Sequence, residues 1–140
     1  MRILSVDPGD RRVGLAVSDP LRITAQGLDT FDKRTGEDLV HHVLELVLRY
    51  DVQVIVVGHP ISMSGRPSES SKKAERLAAE LRKASAIEVV LWDERLSSEE
   101  AKRVLKGSRA GKEAVDKISA MIILQNYLDF RSGEEETNRS

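Results

Sequence analysis

Ile3-Leu4-Ser5-Val6-Asp7-Pro8-Gly9-Asp10-Arg11-Arg12-Val13-Gly14-Leu15-Ala16-Val17-Ser18 is the stretch on which the fold turns. Ile3 to Asp7 reads as a short strand, stopped by the turn residues Pro8, Gly9 and Asp10. Val13 to Ser18 has the β-branched, apolar character of a second strand. So short a gap between them predicts a hairpin, with Asp7 to Arg12 at its tip. A weaker third strand is expected over Ile23 to Leu28.

Working outward, helices and strands begin to alternate. Thr35 with Asp38 three residues on resembles a capping box, and Leu39, Val43, Leu46, Val47 and Tyr50 follow at helical spacing. Val52 to Val57 is a nearly continuous apolar run, as in strands buried on both faces. It ends in Gly58-His59-Pro60. Ser68 is placed to cap a helix whose inner stripe is Ala74, Leu77, Ala78 and Leu81, and Ile87 to Trp92 reads as the next strand. Ser97 with Glu100 predicts a further helix with Ala101, Val104 and Leu105 inward. The flexible basic loop Gly107 to Lys112 leads to a last helix, expected from about Glu113 to Phe130. Its stripe is read as Ile118, Met121, Ile122 and Leu128, broadened by Ala120, Ile123, Leu124 and Tyr127. A hairpin followed by alternating helix and strand implies an α/β fold, a mixed sheet with helices packed on its faces. The expectation is one domain over 1–131 and a disordered polar tail over 132–140.

Composition narrows the chemistry. The chain of 140 residues has 22 Lys and Arg against 23 Asp and Glu, a formal charge of −1, so it is no globally basic nucleic-acid coat. Cysteine is absent, which removes disulfides, thiolate metal sites, iron–sulfur clusters and thiol catalysis together. With three histidines in all, a metal would sit on carboxylates, which favours magnesium or manganese. The opening residues show no secretory signal, and no run approaches the roughly 18–20 apolar residues of a membrane span. A soluble, cytoplasmic protein is expected.

Ligands of such sheets gather at the carboxyl ends of the strands. Asp7 closes the first strand, Asp93 and Glu94 close the last parallel one, and Asp116 opens the final helix. Each has an ordinary reading as well: Asp7 as a turn residue, Asp116 as a first-turn acid favoured by the helix dipole, Asp93-Glu94-Arg95 as a surface ion pair. Gathered together, the acids would repel and hold protons unless a cation neutralised them. Strand alternation sends Asp93 and Glu94 to opposite faces, so one of the two faces the site. Trp92 is read as core.

Four segments carry a fuller resemblance: Asp7-Pro-Gly-Asp-Arg-Arg-Val-Gly-Leu-Ala-Val-Ser-Asp19; Val56-Val-Gly-His-Pro60 with Met63-Ser-Gly65; Asp93-Glu-Arg-Leu-Ser-Ser98; and Asp116-Lys-Ile-Ser-Ala-Met-Ile-Ile-Leu-Gln-Asn-Tyr-Leu128. In this order and spacing they resemble the YqgF family, described both as pre-16S rRNA nucleases and as Holliday junction resolvases. The resemblance covers Met1 to about Phe130. It implies an RNase H-like fold and a magnesium-dependent nuclease, with manganese as a substitute. Asp7, Glu94 and Asp116 would be its catalytic acids and metal ligands, Asp7 bridging two ions and water acting as nucleophile. The chain departs from the family at His59, commonly aliphatic there, at Ser98, commonly Thr, and at Ser119, commonly Ala. His59 is read as a solvated loop histidine, with reach to a phosphate as the alternative.

Basic charge is locally concentrated. Arg11 and Arg12 sit on the hairpin tip, and Arg66, Lys72, Lys73 and Arg76 flank the loop after His59. Between Arg95 and Lys112 six cations face only Glu99 and Glu100. Arg11, Arg12, Arg66, Arg95, Arg109 and Lys112 are the candidate nucleic-acid contacts, with Arg12 and Arg95 holding phosphates or orienting the carboxylates. Lys72 to Lys83 is read instead as a solvated helix face. Gly9, Gly58 and Gly65 would let backbone approach a phosphate. Aromatic residues make up 4% of the chain, too few for a base-stacking platform, so recognition should rest on backbone shape and charge. The leading expectation is a hydrolase of phosphodiester bonds that processes the pre-16S rRNA end, as monomer or homodimer. The alternatives are a dimeric resolvase of branched DNA and a non-catalytic nucleic-acid-binding module in ribosome assembly or transcription.

Overall fold

The computed structural model describes residues 1–61, 64, 66, 68–94 and 112–139, the last segment with side chains from 114 to 134. The opening stretch forms the expected antiparallel hairpin: β1 (Arg2–Pro8) and β2 (Arg12–Ser18) pair with Leu4 opposite Val17 and Asp7 opposite Gly14. The third strand is shorter than its sequence suggested, β3 (Ala25–Gly27), and it shares the outer edge of β2 with β4 (Phe31–Asp32), a two-residue strand that no pattern announced. After a 3-10 turn at Lys33–Thr35 come α1 (Leu39–Tyr50), β5 (Val52–His59), α2 (Glu69–Ala84), β6 (Glu88–Asp93) and α3 (Lys112–Arg139). β5 lies parallel to β1 and to β6, giving the order β3-β2-β1-β5-β6 in a mixed sheet.

Alternation along the strands separates two cores. Leu4, Val6, Leu15, Ile55 and Val57 face α1 and α2, where Val43, Leu46, Val47, Ala74, Leu77 and Leu81 meet them. Ile3, Ala16, Val54, Val56 and Trp92 face α3. Helices on both faces follow from strands that are apolar in both directions. The α3 face is bonded as well as packed: buried Ser5 donates from Oγ to the Ala120 carbonyl at 2.7 Å.

Several local expectations shift. The cap of α1 is Asp38, whose side chain accepts from Val40 N at 3.0 Å; Thr35 lies one step earlier, in the 3-10 turn. Ser68 caps α2 as expected, and its box closes through Ser71. The inner line of α3 is Ala120, Ile123, Leu124, Tyr127 and Leu128, while Ile118, Met121 and Ile122 are half-buried at its margin. The small Ala120 lets the helix seat against Ser5, which sets the rotation that apolar content alone did not. Backbone helix continues past Phe130 to Arg139, through the segment expected to be a disordered tail, where Gly133 is the single weak helix former before a run of glutamates. Trp92 is core, 9% exposed, edge-on to Tyr127 with ring centroids 5.3 Å apart. The helix expected after Ser97 and the basic loop from Gly107 lie outside the described residues.

Candidate functional site

The register of the sheet assembles the site. Asp7 is opposite Gly14 on β2, and on its other side it follows Val6, the partner of Val57, so its lateral neighbour on β5 is Gly58. Gly58 in turn is opposite Trp92 on β6, and Glu94 comes two residues after Trp92, on the same side. Gly14, Asp7, Gly58 and Glu94 therefore form a row across the carboxyl-end edge, on the face covered by α3.

Both glycines are required by close approach. A Cβ at Gly14 would fall on the backbone carbonyl of Asp116, so the missing side chain lets α3 bring Asp116 down beside Asp7. A Cβ at Gly58 would stand 2.7 Å from Glu94 Oε1, 2.8 Å from Ile123 Cδ1 and 3.5 Å from Asp7 Oδ1. The space above Gly58 is thus filled by carboxyl oxygens, not held open for a backbone phosphate as the sequence suggested.

The carboxyl groups of Asp7 and Glu94 converge on this one space. Burial, then the charge and hydrogen bond of Glu94, then the charge of Asp116, hold the Asp7 carboxyl well above its ordinary value of 3.8. A carboxyl so raised keeps its proton where an isolated Asp would lose it. A divalent cation could replace it.

Whether these residues suit a hard cation follows from the same contact. All donors are carboxyl oxygens, and those of Asp7 and Glu94 converge above Gly58. Oxygen-only donors suit magnesium, which takes one or two carboxylates and fills its remaining positions with water and substrate phosphate.

Glu94, not Asp93, turns toward Asp7. Asp93 pairs in register with His59, and Glu94 sits just past the strand end. His59 is the last residue of β5 and is only 16% exposed at its side chain, with Nε2 3.2 Å from Glu75 Oε1 on α2. This corrects the solvated-loop reading: alternation puts His59 on the α2 face, away from the carboxyl row. Asp116 lies one turn into α3, and its place is set by the contact with Gly14.

The basic candidates scatter. Arg11 is exposed on the hairpin tip, and its carbonyl accepts from Lys33 N at 2.9 Å. Arg12 is half-buried at the start of β2, opposite Asp32. Arg66 is exposed between β5 and α2. Arg95, Arg109 and the side chain of Lys112 lie outside the described residues. Sequence reading overlooked Gly14 and Ser5 as builders of the site, although a glycine inside an apolar strand is a recognisable sign of close backbone approach.

Comparison with known proteins gives the family and the fold. Residues 1–130 match the family described as RuvX, Holliday junction resolvase. The chain belongs to the RuvX family. This is the YqgF family expected from the four segments. A "Putative pre-16S rRNA nuclease" of Koribacter versatilis is 47% identical, with 96% of this chain and 91% of that protein covered. Another of the same description, from Dictyoglomus turgidum, is 43% identical over 94% of this chain and 96% of its own. Among solved structures, Thermus thermophilus RuvC in complex with Holliday junction substrate superposes with a TM-score of 0.62 at 16% identity, covering 95% of this chain and 96% of that one. The yeast mitochondrial resolvase Ydc2 gives 0.59 at 12% identity, covering 93% and 78%. At these identities the likeness carries the fold, and the RuvX-family chain has the RNase H-like α/β architecture expected of it.

Proposed function

We propose that this RuvX-family protein is a divalent-metal-dependent nuclease that hydrolyses phosphodiester bonds at the Asp7–Glu94–Asp116 row, with the pre-16S rRNA end as substrate. The observation that carries the reading is the convergence of the Asp7 and Glu94 carboxyl groups in a space that Gly58 leaves for them, with Asp116 brought in by Gly14. Crowded, half-buried carboxyls cost stability unless a ligand uses them. Magnesium, when bound, supplies Lewis-acid polarisation of the phosphate and a more acidic water.

The chain's own residues do the rest. Asp7 gives up its proton and, with Glu94, presents oxygens toward the substrate. Asp116, carried by α3, completes the negative face. Trp92, Ile123 and Tyr127 form the apolar wall on the inner side of the row. Arg11, Arg12 and Arg66, with Arg95, Arg109 and Lys112, would meet phosphates and orient the strand without reading bases. Relatives named as pre-16S rRNA nucleases support RNA as substrate. The family's description as a Holliday junction resolvase supports the second reading, cleavage of branched DNA, which requires a two-fold dimer to make symmetric cuts.

The test is magnesium- and manganese-dependent cleavage of a labelled panel by wild type and Asp7→Asn: precursor small-subunit rRNA, simple single strands and a four-way DNA junction. Cutting of rRNA that is lost in Asp7→Asn supports the first reading. Cutting of the junction alone, by a dimer, moves the assignment to DNA. Binding without cleavage under either metal, equal in both proteins, overturns the nuclease reading in favour of a binding module.

A further inference from the structure

We propose that Lys33, Lys73 and Arg11 form a second phosphate contact across the hairpin tip from Asp7, and that the Asp10 carboxylate stands in for that phosphate in the free protein. This rests on the nuclease reading and deepens it, by saying where the substrate backbone runs after it leaves the carboxyl row.

Four observations converge there. Lys73 Nζ on α2 reaches Asp10 Oδ1 on the tip at 2.6 Å, joining residues 63 apart in sequence. The bond is made in the open, with the Asp10 side chain 87% exposed. Lys33 is fixed beside the tip by its backbone bond to the Arg11 carbonyl and is half-buried. Its ammonium is destabilised first by burial and then by the charge of Lys73, with Asp10 opposing. Arg34, next in sequence, is by contrast committed to Asp32, with Nη2 2.9 Å from Oδ2.

Lys33 and Lys73 thus act on one carboxylate, with Arg11 next to it on the exposed tip. Two ammonium groups close enough to repel favour an anion between them, and Asp10 supplies one charge where a phosphodiester would supply another. Three residues separate Asp7 from Asp10, so the chain spans at most about 10 Å between them. That is roughly three nucleotides of rise along one strand. A site so near the carboxyl row suits a second phosphate of the same strand.

Binding of a labelled duplex RNA by Asp7→Asn protein, titrated over salt, reads the contact without cleavage. Lys33→Gln and Lys73→Gln, added singly, should each lower the slope of log affinity against log salt by about 0.7–0.9. Asp10→Asn should have the opposite sign and tighten binding severalfold at low salt. Arg49→Gln, at the end of α1 and so beside the other end of the sheet, should change neither. In the wild-type background, Lys33→Gln with Lys73→Gln should raise KM for a long substrate and leave kcat, and cleavage of a fragment of a few nucleotides, unchanged. Unaltered slopes in both lysine variants, weaker binding in Asp10→Asn, or an equal effect of Arg49→Gln would each overturn the contact. Failure of the nuclease reading looks different: no Asp7-dependent cleavage with either metal, while the lysine slopes still report whether the contact exists.

Discussion

Gly58→Ala separates the stability of this protein from its chemistry. The new Cβ would lie 2.7 Å from Glu94 Oε1 and 2.8 Å from Ile123 Cδ1, where ordinary contact begins near 3.4 Å. Glu94 must therefore retreat by about 0.7 Å and Ile123 by about 0.6 Å. Both contacts are made by the far ends of flexible side chains, so the folding cost should fall at the low end of overpacking, about 1 kcal/mol. Catalysis has no such latitude: a displacement near 1 Å at a reacting group costs about 100-fold, so kcat for the cleaved substrate should drop roughly 10- to 100-fold. The assay is single-turnover cleavage at saturating magnesium, beside a thermal melt. Adding Ile123→Val removes the apolar clash and leaves the carboxyl one, so it should recover melting temperature without recovering kcat. A folded Gly58→Ala protein with kcat within about twofold of wild type, or one whose activity Ile123→Val restores, would refute the role given to Gly58.

Four further outcomes follow from the same geometry. Gly14→Ala meets backbone, the Asp116 carbonyl, which cannot rotate away; it should destabilise at the upper end of overpacking, about 3 kcal/mol by denaturant melt, well beyond Gly58→Ala. Ser5→Ala loses the 2.7 Å bond to the Ala120 carbonyl and should cost about 1 kcal/mol, or roughly 3–5 °C in Tm. Asp7 is held above its ordinary 3.8, so its contribution to stability is full below that pH and is lost as pH rises through the folded value; Asp7→Asn should therefore melt higher than wild type by a margin that grows from about pH 4 toward neutrality, and a margin flat with pH would count against the carboxyl pairing. His59→Leu breaks only the contact with Glu75 on the α2 face and should leave kcat unchanged while lowering Tm slightly.

The parts of the fold that local chemistry dictates were legible in advance. Pro8-Gly9 between two apolar runs leaves the chain little but a hairpin, and Ser68 before a 3.6-residue stripe leaves α2 little choice of start. What the sequence concealed was decided by partners. β4 is a strand only because Arg12 and Val13 lend it hydrogen bonds. The buried line of α3 is centred on Ala120, since Ser5 bonds its carbonyl, whereas apolar content alone put Ile118 and Met121 in the stripe ahead of it. Asp38 displaces Thr35 as the α1 cap because the 3-10 turn occupies Thr35 first. The Asp93 or Glu94 question shows the boundary well: alternation said that one of them faces the row, but which one depends on β6 pairing His59 with Asp93, a register that no local signal encodes.

The row of Gly14, Asp7, Gly58 and Glu94 is costly by every local rule. Glycine in a strand interior weakens it by about 0.5–1 kcal/mol, and two of them flank a buried acid. Left uncompensated, such a row would be the weakest line in the sheet. The compensation lies one step inward on the same face, where Ser5 ties α3 down and Ile3, Ala16, Val54 and Val56 pack beneath it. Stability is concentrated at one end of the strands, and the strained carboxyl pair sits at the other. A helix anchored at Ala120 can hold Asp116 over the row. The arrangement suits a site whose carboxyls are meant to exchange a proton for a cation, because neither the sheet nor α3 has to move when they do.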